Sequence, residues 1–473
     1  MKFKSHLAIF ISVFSLLCSC GNTDENTNHN SATLIDFQVQ LTENNTLRAE
    51  VKAKFSKSVS YYIEYWETSK EDTRHHTLTY ETYGATQDTL VLLKPHTEYA
   101  CRIVYNDAKD TSPVKHFNTK EVPSIVPTST LITDNLKETL DGYLLSYSRK
   151  SPGVLYLMDT KGIPVWYEKM PEGVLVANFN KTNNCFYVLS VAPNSANPDI
   201  SGGYYTGDKL KVIDLFGHIR FQKLLTTLPE MKNRHAHHEC RPLPNGNVMI
   251  VTSVTQSFDL TAQGGTKDEE VTGDGFIVLN PQGKVVYQWD CFGTLNPADD
   301  SGIMQSKKDW LHANSINTDM DGNYYMTFNT ISQLWKIDAQ TGKTLYRIGK
   351  NGTIKTPEEG WANGLHCANP IAPDEILALD NGRLGTKGSR ALLYKINTEN
   401  NTVQLAIDSE ISKEYSTPNR GNVQLVTPNM LLFGSSVKNL ILFTDINTKA
   451  NVLRAISVTN LFYRTEYIPP ISY

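Results

Sequence analysis

Three histidines, His238, His312 and His366, and one arginine, Arg420, recur at a similar place in the second half of this 473-residue chain. His238 lies seven residues before Asn245, His312 nine before Asp321, His366 eight before Asp374 and Arg420 nine before Asn429. Imidazole changes charge near neutral pH, so it can serve as nucleophile, base or acid. Guanidinium stays charged and holds oxygens in a fork. Together they suit an anion, and the transfer of a group whose charge is spread over several oxygens. A single strand histidine is usually a core or surface residue. Three at one phase of a repeat imply a shared site.

The elements that must position them are short strands. One pattern recurs: a strand ending in Asp or Asn, a short turn, then a second strand. Its copies start at Gly153, Asp208, Asp274, Gln333, Ala391 and Asn439. A further strand precedes the hairpin in several units, as in Asn245-Gly-Asn-Val-Met-Ile-Val-Thr and Asp321-Gly-Asn-Tyr-Tyr-Met-Thr-Phe. With one earlier strand each, the six units have four strands and average about 57 residues. This predicts an all-β chain with a six-bladed β-propeller over residues 125–473. The innermost strands of a propeller line its channel, which brings the four residues above to one place.

Residues 32–120 read as a small β-sandwich of the fibronectin type III kind, with no chemistry in it. Its strand candidates are Thr33–Leu41, Arg48–Phe55, Tyr61–Trp66, Thr89–Leu93 and Tyr99–Tyr105. Pro123, Pro127 and scattered Ser and Thr mark the boundary. At the start, Lys2 and Lys4 precede an apolar run, Leu7–Leu17, too short to span a bilayer. Leu17-Cys-Ser-Cys20 then resembles the bacterial lipoprotein box. The resemblance implies a signal peptide over 1–19, lipid on Cys20 and a tether over 20–31. The expected location is outside the cytoplasm, anchored on the periplasmic or outer-membrane face. Formal net charge is −4, and no basic patch exists to attract nucleic acid. Cys101, Cys185, Cys240, Cys291 and Cys367 form no Cys-x-x-Cys pair and are expected as mostly buried thiols.

At the histidines the chain resembles the bacterial arylsulfate sulfotransferases that do not use phosphoadenosine phosphosulfate. His237-His-Glu-Cys-Arg-Pro-Leu-Pro-Asn-Gly-Asn resembles that family's His-His-Asp segment and the turn after it. Asp309-Trp-Leu-His-Ala-Asn-Ser-Ile resembles its Asp-Trp-x-His-x-Asn-Ser segment. Leu365-His366 stands where its Gln-His does. Asp380-Asn-Gly-Arg with Ser389-Arg-Ala-Leu, and Arg420-Gly-Asn-Val-Gln, resemble later segments. The resemblance implies that His366 is the nucleophile, transiently sulfated on a ring nitrogen, and that His238 and His312 support the sulfuryl group. It implies an aryl sulfate donor, a phenolic acceptor, no cofactor and a homodimer. It also implies an arginine where this chain has Asn329. Arg347, Arg383, Arg390 and Arg420 are the candidates to supply that charge to the substrate.

Other readings compete. A noncatalytic lipoprotein would bind a sulfated or acidic ligand in the channel. A metal enzyme would use the imidazoles of Arg234-His-Ala-His-His, although strand alternation would send His237 and His238 to opposite faces. A purely structural scaffold would use none of these groups.

Overall fold

The computed structural model describes residues 31–70, 74–191, 207–382, 388–447 and 451–473. Cys20, the leader and the tether up to residue 30 lie outside them. Almost every regular element is a strand.

The N-terminal strands make two sheets. Leu34–Leu41, Ala49–Phe55 and Ala85–Leu90 form one. Val59–Glu67 and Glu98–Tyr105 centre the other, flanked by short edge strands. Along Ala49–Phe55 every second side chain is buried, as a strand with one wet face requires. Phe37, Val51, Ile63 and Ile103 meet between the sheets. The strand expected at Thr89–Leu93 lies earlier, at Ala85–Leu90. Leu92 has a left-handed backbone (φ 60°), which ends the extended run.

Residues from Ser129 onward form six antiparallel sheets, the blades. Blades 2 to 5 each consist of four consecutive strands, and their inner strands are Val174–Asn180, Arg234–Pro242, Ala313–Thr318 and Leu365–Ala372. Blade 6 begins with Asn422–Thr427, and Ser129–Asp134 joins its outer edge. Blade 1 takes its inner strand, Glu466–Ile468, from the far end of the chain, where it pairs with Tyr143–Tyr147. Both terminal segments are therefore stitched into a neighbouring blade. The repeated hairpins of the sequence are the third and outer strands, and the histidine segments begin the inner ones.

Middle strands such as Cys185–Ser190 are buried along their whole length, because blades pack face to face. Outer strands such as Ile219–Leu224 alternate, because one face is wet. Asparagine amides join inner strands across the channel wall. Asn178 donates to Cys240 O (3.0 Å), Asn314 to Leu365 O (2.9 Å), Asn369 to Val423 O (3.2 Å) and Asn422 to Thr465 O (2.6 Å). Each satisfies a carbonyl left outside its own ladder.

Candidate active site

Three inner strands carry bulges at or next to the histidines the sequence singled out. Register shifts fall between Ala236 and Cys240, between Ala313 and Ser315, and between His366 and Asn369. His238, His312 and Arg420 are left-handed, with φ of 55°, 54° and 61°. That conformation costs a non-glycine residue roughly 1–2 kcal/mol. It persists because the surrounding ladders fix it, and a bulge re-aims the side chain it carries. In blade 5 the left-handed residue is Cys367 (φ 44°), so His366 sits one position earlier than its counterparts.

The three histidines meet. The rings of His238 and His312 are 5.1 Å apart, and that of His238 is 5.7 Å from Tyr463. His366 is buried and feels both His312 and Arg464. Each imidazole has its own support. Asp309 Oδ2 lies 2.7 Å from His312 Nδ1, and Trp310, two residues before His312, is buried and bonds Asp300 through its indole N–H. Asn329 Nδ2 lies 3.1 Å from His366 Nδ1, and the Gly364 carbonyl lies 3.5 Å from it. His237 Nδ1 lies 2.7 Å from His238 Nδ1. Strand alternation would have separated those two rings. The bulge at His238 breaks the alternation, so the two rings come into contact.

Electrostatics keep two of the imidazoles neutral. Burial, then His312, then Arg464 push His366 down to about 3. Burial, followed by His237, His312, Arg149 and His366, pushes His238 well below the ordinary imidazole range. An unprotonated imidazole is the form that attacks an electrophile.

Of the arginines the sequence suggested, two are engaged elsewhere. Arg390 is consumed by structure: Nε donates to Asp380 (2.8 Å), Nη1 to Asp408 and Glu359 O, and Nη2 to Trp361 O. Asp380 also accepts from the Asn363 N–H. Arg390 therefore fixes the loop that leads into His366 and does not serve as a substrate ligand. Arg347 lies over Trp335, away from this cluster. Arg383 lies outside the described residues. Arg420 is half-buried and shares the left-handed position of His238 and His312. Asn329 supports the His366 ring.

Two arginines that sequence reasoning missed lie at the centre. Arg149 and Arg464 are both buried, with guanidinium carbons 5.0 and 4.9 Å from the centroid of the Tyr463 ring. Arg464 precedes the inner strand of blade 1 and reaches across the channel. It donates to Glu239 Oε2 (2.5 Å) in blade 3 and to Asn314 O (2.5 Å) in blade 4. Arg241 joins Glu239 to Glu466 at 3.2 Å each. Burial raises the Glu239 carboxyl, but Arg241, Arg464 and Asn178 overcome it and hold the group below its ordinary value. The Tyr463 hydroxyl and Arg464 Nε are buried without a hydrogen-bond partner among the described residues. Such orphaned donors beside neutral imidazoles suit a ligand with acceptor oxygens. The missed arginines carry no repeat signal. Arg149 lies in a loop, and Arg464 belongs to a blade some 300 residues earlier in the sequence.

Neutral imidazoles, fixed guanidiniums and orphaned N–H and O–H donors can bind a tetrahedral oxyanion and offer it a nucleophile. Among the described residues no group of three His, Cys, Asp or Glu side chains is set to hold a metal ion.

Comparisons with known proteins agree with this chemistry in one respect. No curated protein sequence matches the chain. Solved structures similar to it are distant. One is a Bacteroides caccae protein of unknown function, 12% identical, covering 70% of this chain and 100% of its own, with a TM-score of 0.43. Another is a streptogramin B lyase, 12% identical over 69% of this chain and 86% of its own, TM-score 0.36. A third is AztD from Citrobacter koseri, 10% identical over 71% and 100%, TM-score 0.37. The arylsulfotransferase (ASST) family model matches residues 128–460, which contain His238, His312 and His366 within the six blades, and the chain therefore belongs to the arylsulfotransferase family.

Proposed function

We propose that this chain moves a sulfuryl group from an aryl sulfate to a phenol through a sulfohistidine at His366. The observation that carries the reading is the meeting of neutral His366 with His238, His312 and Arg464 at one point of the channel. Sulfuryl transfer, like phosphoryl transfer, needs in-line positioning and cationic or N–H donors on the equatorial oxygens. His366 Nε2 attacks sulfur while the bond from sulfur to the aryl oxygen breaks. For Nε2 to hold the lone pair, Nδ1 carries the proton, with the Gly364 carbonyl as its acceptor, while Asn329 Nδ2 keeps its bond to Leu365 O. Arg464, His312 and Arg420 supply charge and N–H groups to the oxygens in place of the arginine that Asn329 replaces. The departing phenolate belongs to a phenol of pKa near ~10 and needs a proton. Water is excluded by burial around His366, which protects the N–S bond until a second phenol arrives.

The test is transfer from 4-nitrophenyl sulfate to a phenol by the purified protein, with mass spectrometry for a sulfuryl adduct on His366. We expect ping-pong kinetics, and a loss of at least about a thousandfold in kcat for His366→Ala. Binding of aryl sulfates with no turnover and no adduct would favour a noncatalytic receptor instead.

A further inference from the structure

The rings behind His238 form a line that the sulfuryl chemistry above does not use. His237 is buried, and its Nδ1 lies 2.7 Å from His238 Nδ1 with the rings nearly perpendicular, at 89°. Two ring nitrogens at that distance cannot face each other as lone pairs, so one proton lies between them. On its far side, His237 Nε2 is 3.5 Å from Oδ1 of Asp274, which is itself buried. Neither His237 Nε2 nor Asp274 Oδ2 has a hydrogen-bond partner among the described residues. A buried carboxylate beside a buried imidazole holds charge only if the imidazole offsets it. Asp274 lies on the third strand of the same blade, Glu269–Leu279, paired with Ser253, and His237 and His238 lie in the bulge that the inner strand makes between Ala236 and Cys240.

We infer that Asp274 and His237 are positioning residues that store the proton His238 gives to the leaving phenolate and recovers from the acceptor phenol; this rests on the transfer reading above. In the resting state His237 carries protons on both nitrogens, paired with the Asp274 carboxylate, and neutral His238 carries one on Nε2. As the S–O bond to the aryl group breaks, the His238 Nε2 proton passes to the aryl oxygen. The proton between the rings moves from His237 Nδ1 to His238 Nδ1. His237 is left neutral, with its remaining proton toward Asp274. When the second phenol attacks the sulfohistidine, its proton returns along the same path. Each half-reaction balances, and no co-reactant is needed. The low proton affinity of His238, set by burial and by its cationic neighbours, agrees with the proton resting one ring back.

The experiment compares aryl sulfates whose phenols range from 4-nitrophenol, a good leaving group, to unsubstituted phenol, a poor one. A proton relay matters most for the poor leaving group. Asp274→Asn and His237→Gln should keep kcat/KM on 4-nitrophenyl sulfate within about threefold. They should lose on the order of 100-fold on phenyl sulfate, which is the low end of general acid catalysis. The slope of rate against leaving-group pKa thus steepens. A structural role would lower both substrates together, and parallel losses or an unchanged slope would overturn the relay. If Asp274→Asn does not fold, His237→Gln alone decides, since His237 lies between the two partners. A second measurement does not depend on turnover: nitrogen NMR of the full chain should find His237 doubly protonated and His238 singly protonated, and the reverse assignment would also overturn it. A wild type that forms no adduct on His366 refutes the transfer reading itself, separately from these slopes.

Discussion

His366 is the residue whose environment has the largest consequence outside catalysis. Its folded value is about 3, below the ordinary 6.5, because burial and neighbouring positive groups penalise the cation. Below pH 6.5 the unfolded chain takes up a proton that the fold refuses until about pH 3. Stability is therefore full above 6.5 and is lost progressively as pH falls from 6.5 towards 3. The loss from this one site is on the order of a few kcal/mol. His366→Asn removes the titration, so urea unfolding between pH 7 and pH 4 should show a shallower decline for the variant than for the wild type. Parallel declines would mean that His366 is protonated in the fold. The left-handed backbones of His238, His312 and Arg420 belong to the same scale. Each is a local cost kept in place by the structure packed around it.

At the scale of elements, the inner strands work through the bonds between them. Arg464 ties blade 1 to Glu239 of blade 3 and to a carbonyl of blade 4, with the ion pair almost wholly inaccessible to solvent (2% and 0% exposed). Glu239→Gln would leave buried Arg464 and half-buried Arg241 with one counter-charge fewer. Breaking such a pair from one side costs about 3–5 kcal/mol. The denaturation midpoint should fall accordingly, and kcat should fall with it because Arg464 is then free to leave the His366 side. A variant as stable as the wild type would show that the pair is dispensable. The spacing of side chains within the Asp309-Trp-Leu-His-Ala-Asn-Ser segment also becomes physical here. Asp309 orients His312, Trp310 packs beneath, Asn314 reaches Leu365 O of the next blade, and the Ser315 hydroxyl meets Thr327 at 2.6 Å.

At the scale of the whole molecule, the terminal segments hold the parts together. Glu466–Ile468 completes blade 1, and Ser129–Asp134 extends blade 6. Beyond them the chain runs into the sandwich. The Tyr473 hydroxyl donates to Val91 O (3.0 Å) and lies 2.9 Å from the Tyr65 hydroxyl, while the Val91 N–H donates back to it (3.0 Å). The sandwich and blades 1 to 3 share one apolar cluster, and Arg48 meets Glu168 across them at 2.8 Å. Tyr473→Phe leaves a buried N–H and carbonyl without their partner, at a cost of about 1–3 kcal/mol. Chemical unfolding followed by tryptophan emission should show the sandwich loosening first, with transfer activity retained; a single unchanged transition would argue against the tie.

The repeat was legible because its periodicity is local: each hairpin shows its strands, turn and closing Asp or Asn within some 20 residues. The count of copies gives six blades, and the shared phase of His238, His312 and His366 puts them at the inner strands. The same locality hid the rest. The inner strand of blade 1 is built from the far end of the chain, so Arg464 has no place in the repeat and cannot be assigned to the site from spacing. Arg149 lies in a loop with no pattern. Arg390 stood in a suggestive segment, yet its guanidinium is saturated by Asp380, Asp408 and two carbonyls, which only packing decides. Alternation placed His237 and His238 on opposite faces, and a left-handed bulge overrode it. By itself, then, the sequence determined the blades and three of the catalytic candidates, because both are written in a short period. Tertiary structure alone decided which cations join them and which side chains lie behind His238, because those depend on packing across hundreds of residues and on the backbone strain that packing can hold.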